Sequence, residues 1–320
     1  MTHTTQVPTT TPSAPGVRAP RRRRGGHTHG AAFASRGINL LYLPALAVVI
    51  VFTVYPFIQG ISLSFTNWNG YSPQKSWVGA VNYLRLFTDA NFGQALGNTL
   101  IYGFGSTIIQ QVLGLALALA LDRAIRGRGL ARAIIYLPVL VSPVVMGTMY
   151  YLFFAYGTGG FNDIVVAFGG ERIPVFADAA AATAIITIVN SVQFVGISMV
   201  IYLAGLQAIP VMYYEAARVD GAGTWTQFTN VTMPMLQPAF VTSIVINLIG
   251  GLKLFDVIRV LTGGGPGYAT NSVSTLISKT YFGNQNAGYA SAMGVALFLL
   301  IAAFTLVVNT LLNKRRLELS

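Results

Sequence analysis

The chain has 320 residues, 53% of them hydrophobic and only 9% charged, where a soluble domain carries roughly a quarter charged residues. That balance excludes an ordinary water-soluble globule and points to the bilayer. The absence of cysteine excludes disulfides, thiolate nucleophiles and cysteine-ligated metals; the net charge of +11 lies mostly beside apolar runs, where it sets topology and meets anionic headgroups, so no nucleic-acid partner is expected.

Residues 1–36 are rich in Thr, Pro, Gly and Arg with few large apolar side chains, which predicts a disordered basic tail. Arg21, Arg22, Arg23 and Arg24 imitate the start of a signal peptide. However, Ala32-Phe33-Ala34 precedes the apolar run instead of following it, and the run is long enough to span, so an uncleaved first helix is expected. His27 and His29 read as solvated tail residues, and no metal site is expected.

No Asp, Glu, Lys or Arg occurs in 37–74, 90–121, 133–162, 179–214, 221–252 or 280–313. Each run can hold the roughly 20 apolar residues that a spanning helix needs. The best cores are about 39–61, 99–121, 133–154, 180–203, 240–254 and 290–312, so the expected fold is an all-α membrane protein with six transmembrane helices. Pro44 and Pro56 in the first span, and Pro138 and Pro143 in the third, should bend their helices. Such kinks suit a translocation path and also occur as plain packing features. Between the first two spans, Thr66 to Tyr71 and Trp77 to Tyr83 form an external segment with interfacial aromatics. A seventh uncharged run, 260–278, contains Thr262-Gly-Gly-Gly-Pro-Gly267 and many hydroxyls, and reads as an ordered loop.

Lys and Arg set the orientation. One side receives the arginines of 18–36, Arg123, Arg126, Arg128, Arg132, Arg218, Lys314, Arg315 and Arg316, while the other receives only Lys75, Arg85, Arg172, Lys253, Arg259 and Lys279. Both termini, and the segment about 206–235, are expected to be cytoplasmic.

That segment is a polar island between two apolar runs. Pro210 suits a first helical position, Val211 to Asp220 can form a short helix, and Gly221 supplies a left-handed stop. Thr224-Trp-Thr-Gln227 has the form of a capping box, so a second helix is expected from Trp225 to about Met233, before Pro234. Ala216, Ala217 and Ala222 are small enough for another protein to approach the backbone. Glu215 and Asp220 offer charged hydrogen bonds to Arg or Lys. The same pattern could also be a solvated hairpin with no partner.

The order Glu215-Ala216-Ala217, Asp220-Gly221-Ala222, and Val231-Thr-Met-Pro234 resembles the EAA loop of the inner-membrane permease subunits of binding-protein-dependent ABC importers. Val231 and Met233 stand where that family often has Ile and Leu, a conservative exchange. Phe255 to Pro266 with Thr270, Gly157 to Asn162 and Gly288 to Gly294 are similar to the maltose-type and glycerol-phosphate-type carbohydrate permeases. The resemblance implies the type I ABC importer permease architecture in the bacterial inner membrane, with a permease domain over 37–316, a coupling loop at 206–235, an external loop at 255–279 around Gly264, Gly265 and Pro266, and a cytoplasmic end at 317–320. It also implies three kinds of companion: a second homologous permease subunit, two ATP-binding cassette subunits and an extracytoplasmic solute-binding protein. The chain has no phosphate loop and no Gly-Lys pair at all, so it is not expected to be an enzyme or to hold a cofactor, with ATP and Mg²⁺ bound in the partner ATPase.

For a sugar, the pathway needs paired donors and acceptors beside an aromatic face. Candidates at membrane depth are Tyr150, Tyr151, Asn190, Ser191, Gln193 and Asn247, with Lys253 and Asp256 at the outer end of the fifth span. Each could equally serve interhelical hydrogen bonding, or snorkelling in the case of Lys253. A secondary transporter or channel would want intramembrane carboxylates, and none lies inside a span. An intramembrane enzyme would want H-E-x-x-H or a carboxylate pair at membrane depth, and neither occurs.

Overall fold

The computed structural model describes residues 42–123 and 126–313; the basic tail, its histidines, Arg36 and the charges at 314–316 lie outside them. The chain falls into two compact units, Met1–Pro56 and Phe57–Ser320. Of the first, residues 42–56 are helical and exposed throughout. They begin helix α1, Tyr42–Ser64. Pro56 has no N–H to donate, and the ladder widens to a π turn over Ile50–Val54 just before it, with Tyr55 N–H reaching back to the Ile50 carbonyl.

The second unit is helical, and among the described residues the only β pairing is a single bridge between Thr66 and Trp77. After α1 come α2 (Val81–Thr88) and α3 (Ala90–Asp122), then α4 (Arg128–Leu140) and α5 (Pro143–Phe153). Next are α6 (Gly160–Ala167), α7 (Ala179–Gln207), α8 (Val211–Val219) and α9 (Thr224–Gln227). The chain closes with α10 (Gln237–Leu252), α11 (Asp256–Leu261), α12 (Val273–Ser278) and α13 (Ala287–Asn313).

Four helices, α1, α3, α7 and α13, are long and apolar enough to cross a membrane. The expected third span is α4 and α5, bent by 98° at Val141–Ser142. The physical cause lies in two prolines. Pro138 already sits inside α4, and Pro143 forces Ser142 out of the helical region to ψ 132° before taking the first position of α5. The expected fifth span is the 16-residue α10.

At the centre is α7, against which α3, α4 and α10 pack, while a stripe along Ile188, Val192 and Val200 stays exposed. Close approach is set by small residues. A Cβ on Gly251 of α10 would stand 2.8 Å from Gly103 Cα of α3, and a Cβ on Gly196 of α7 would stand 3.0 Å from the Tyr136 Cα of α4. Three buried clusters follow one another along the bundle, around Tyr289 and Met293, around Tyr102 and Ile186, and around Met199 and Tyr202.

Candidate functional site

Between α7 and α10 the chain forms an elbow. Pro210 does not occupy the first helical turn; it is the cap residue, with ψ 133°, and α8 begins at Val211. The helix ends at Val219 and Asp220 caps it. Gly221, at φ 75°, reverses the chain, its N–H donating to the Arg218 carbonyl at 3.0 Å while Ala222 N–H donates to the Ala217 carbonyl at 2.9 Å. This pair of bonds is a Schellman stop, which needs a left-handed residue at that position. The second limb departs from expectation. Gly223, not Thr224, caps α9, and no capping box forms. Gln227 Nε2 instead turns back to the Ala222 carbonyl at 2.8 Å. The helix continues through a π turn at Phe228–Thr232 into Met233–Met235, so Pro234 lies inside the helical stretch.

The elbow is both presented and anchored. Glu215, Ala216 and Asp220 are exposed, Ala217 and Ala222 half-buried. Val219 is 89% exposed and Trp225 75%. Among the described residues the one ion pair joins Arg172 to Asp163, so Glu215 is not spent within the fold. Tyr214 points the other way. It packs on the cluster of Ala118, Met199 and Leu236 and meets Thr232. A cleft of about 660 Å³ opens between the elbow and the ends of α3 and α7, with Asp122, Arg123, Trp225 and Phe228 on its walls.

Deeper in the bundle is a cavity of about 290 Å³, lined by α3, α7, α10 and α11. Four of the eight expected pathway residues reach it: Asn190, Asn247, Lys253 and Asp256. Asn247 also ties two helices, donating to Ser198 Oγ at 2.7 Å, with Ser243 Oγ 3.1 Å from the same oxygen. The other four do not line it. Ser191 is spent on the Thr187 carbonyl at 2.6 Å. Gln193 is fully buried and its Nε2 faces the Val141 carbonyl, freed at the α4–α5 break, at 3.5 Å. Tyr150 packs beside the cluster of Tyr102 and Ile186, and Tyr151 stacks on Phe176 with ring centres 6.0 Å apart.

Gln110 is the lining residue that the sequence reading missed. Its Nε2 donates to the Asn190 carbonyl at 3.2 Å, and its Oε1 has no partner among the described residues although the residue is 1% exposed. A signal was present in the adjacent Gln110-Gln111 pair inside an uncharged run. Phe194 and Phe255 add aromatic faces. The cavity therefore combines amide groups, one cation and one anion at its mouth, and two rings.

The Gly264-Gly265-Pro266 segment is an ordered knot, while the end of the 260–278 run, expected as loop, is helical as α12. Gly264 has φ 89°, and a Cβ there would collide with the Asn271 side chain. Thr270 Oγ1 donates to the Gly265 carbonyl at 2.7 Å, and Asn98 Nδ2 of α3 donates to the carbonyls of Ala269 and Asn271 at 2.6 and 2.9 Å. The knot thus holds α3 to the segment between α11 and α12.

Residues 110–318 match the family model described as binding-protein-dependent transport system inner membrane component. The chain is similar to the trehalose/maltose transport system permease protein MalF of Thermococcus litoralis, at 35% identity over 84% of this chain and 90% of that one. Its identity to the multiple sugar-binding transport system permease protein MsmF of Streptococcus mutans is 33%, over 87% and 95%. Among solved structures, a chain of the bacterial alginate ABC transporter, crystallised in complex with alginate pentasaccharide-bound periplasmic protein, shares the fold. The TM-score is 0.78 at 23% identity, covering 90% of this chain and 97% of that one.

Proposed function

The chain belongs to the family of binding-protein-dependent transport system inner membrane components, and from that premise we propose that it is the permease subunit of an ATP-driven importer for a carbohydrate. The relatives named above carry sugars in their names, and the cavity offers what a sugar requires: amide donors and acceptors with aromatic faces alongside. Gln110, Asn190 and Asn247 are the proposed hydroxyl contacts, with Lys253 and Asp256 at the entrance. Tyr150, Tyr151, Ser191 and Gln193 take supporting places around the passage.

The observation that carries the mechanism is the elbow: a rigid, exposed helix–glycine–helix element seated on the ends of α3 and α7. In this reading Glu215, Ala216, Ala217, Asp220, Gly221 and Ala222 meet a separate ATPase subunit, with Pro234 in the helical stretch that leads to α10. ATP and Mg²⁺ belong to that subunit. Closure of two ATPases would draw the elbows of this chain and a second permease together and rock the bundles, as alternating access requires. An external binding protein would deliver the solute, as the periplasmic protein accompanies the alginate transporter.

Counting the bent α4–α5 pair and α10 as spans gives six, with the elbow and both termini on the cytoplasmic face of the bacterial inner membrane. The domain limits follow: a tail to residue 36, the permease over 37–316 and an end at 317–320. Reconstitution tests the whole reading. The chain alone in liposomes should accumulate no sugar; with its companions it should do so only with ATP. Solute accumulation by the single polypeptide would sink the proposal. A thermal-shift screen of the cognate binding protein against sugars would name the solute.

A further inference from the structure

Helix α2 lies outside everything the transport reading uses. It occupies the connection between the end of α1 at Ser64 and the start of α3 at Ala90, both ends of long apolar helices. The far end of α3, at Asp122, borders the cleft beside the elbow. Therefore α2 sits at the opposite end of the bundle from the elbow.

Its depth is fixed by hydrogen bonds to the end of α1. Asn82 Nδ2 donates to the carbonyls of Ser64 and Thr66, each at 2.8 Å, and Tyr83 Oη lies 2.6 Å from Ser64 Oγ. Asp89, the hinge into α3, accepts from Asn91 N–H at 2.9 Å and from Tyr289 Oη at 2.8 Å. The helix is thus held on the bundle by its polar groups and cannot swing away with the loop.

The two faces are chemically inverted for a protein in water. Asn82 and Leu86 are buried against the bundle. At about 100° per residue, the opposite direction is occupied by Val81, Leu84 and Phe87, and these are 58%, 66% and 89% exposed. Trp77, just ahead of the helix, is also exposed and stacks on Phe65. Arg85 does not interrupt the stripe; its guanidinium lies 4.2 Å from the centre of the Tyr289 ring. A helix tied by side-chain amides to the terminus of one span and joined by one hinge residue to another sits at headgroup depth. A one-sided apolar stripe there lies in the boundary between headgroups and acyl chains.

We infer that α2 is an interfacial anchor whose Val81–Leu84–Phe87 stripe is covered by lipid of the leaflet away from the elbow, fixing the vertical position of the α1–α3 connection while the rest of the bundle moves. The occupant is lipid and not protein because connectivity sets the depth of the stripe, whatever chain stands beside it. It carries no charge to mark a protein contact.

The cysteine-free chain permits a direct test. Single cysteines at Leu84 and Phe87, labelled with bimane, would be compared with one at the exposed loop residue Glu171, in the full transporter purified with its companion subunits and placed in nanodiscs. Lipids brominated near the headgroup end of their chains should quench labels at 84 and 87 at least twofold more than iodide does, and the order should reverse at 171. Stronger quenching by iodide at 84 and 87 would overturn the inference. So would labels shielded from both quenchers, which would assign the stripe to a protein partner.

Discussion

Tyr214 Oη and Thr232 Oγ1 stand 3.0 Å apart, one on each limb of the elbow, and Tyr214 also packs against the cluster that joins α3 to α7. The bond closes the hairpin on its inner side while Val219 and Glu215 face outward. Force applied to the outer face therefore reaches the bundle without first bending the loop. Four predictions follow from the elbow, the cavity and the knot.

Glu215→Ala should separate docking from folding. The side chain is exposed and makes no ion pair among the described residues, so stability should change by less than about 0.5 kcal/mol. Co-purification of the ATPase and ATP-driven uptake should both fall severalfold. Normal uptake by this variant would remove Glu215 from the interface.

Gly221 tests the shape of the elbow. A Cβ there meets nothing within 4 Å, so Gly221→Ala costs only the left-handed backbone, about 1–2 kcal/mol, and should weaken uptake partially. Gly221→Pro forbids φ 75° and deletes the N–H that donates to Arg218. Uptake should be abolished while the protein still inserts into the membrane, as measured by fractionation and transport in the same cells.

Two asparagines in the cavity should behave differently. Asn247 holds Ser198 across α7 and α10, so Asn247→Ala should lower both thermal stability, by about 1–2 kcal/mol, and sugar uptake. Among the described residues Gln110 engages only the Asn190 backbone carbonyl, while the Asn190 side chain lines the cavity. Asn190→Ala, and likewise Gln110→Ala, should reduce uptake tenfold or more with a smaller loss of stability. Uptake unchanged in all three variants would remove the cavity as the solute site.

The knot makes a stability prediction. Gly264→Ala places a methyl group on the Asn271 side chain at a φ of 89°, combining backbone strain with overpacking. A loss of about 2–4 kcal/mol is expected, read as a lower unfolding temperature in detergent. Gly263→Ala, where a Cβ would meet nothing within 4 Å, should cost less.

Much of this was legible in the sequence because two signals are local. Long uncharged runs mark the spans wherever the helix is straight, so α1, α3, α7 and α13 are found near their expected positions. Left-handed glycine is equally local, and Gly221 adopts the φ its context suggested. What failed depended on neighbours. The proposed box at Thr224 lost to Gln227, whose amide found the Ala222 carbonyl instead. The kink expected from Pro138 and Pro143 became a 98° break, since the packing of α4 on α7 decides where each half goes. Ser191 and Gln193 are polar at membrane depth just as Asn190 is, yet only the rotation of α7 about its axis separates Ser191, which bonds its own helix, and Gln193, which reaches the Val141 carbonyl, from Asn190, which faces the cavity. That rotation leaves no trace in composition.

The bonds from Asn98 to the 269–271 backbone, together with Asp89 and Tyr289, fasten α3, α12 and α13 to one another at the end remote from Gly221. A bundle clamped at one end and pushed at the other behaves as a lever with a fixed fulcrum. Displacements during a transport cycle should then grow with distance from Asn98, so paired spin labels would separate most near Trp225 and least near Thr270.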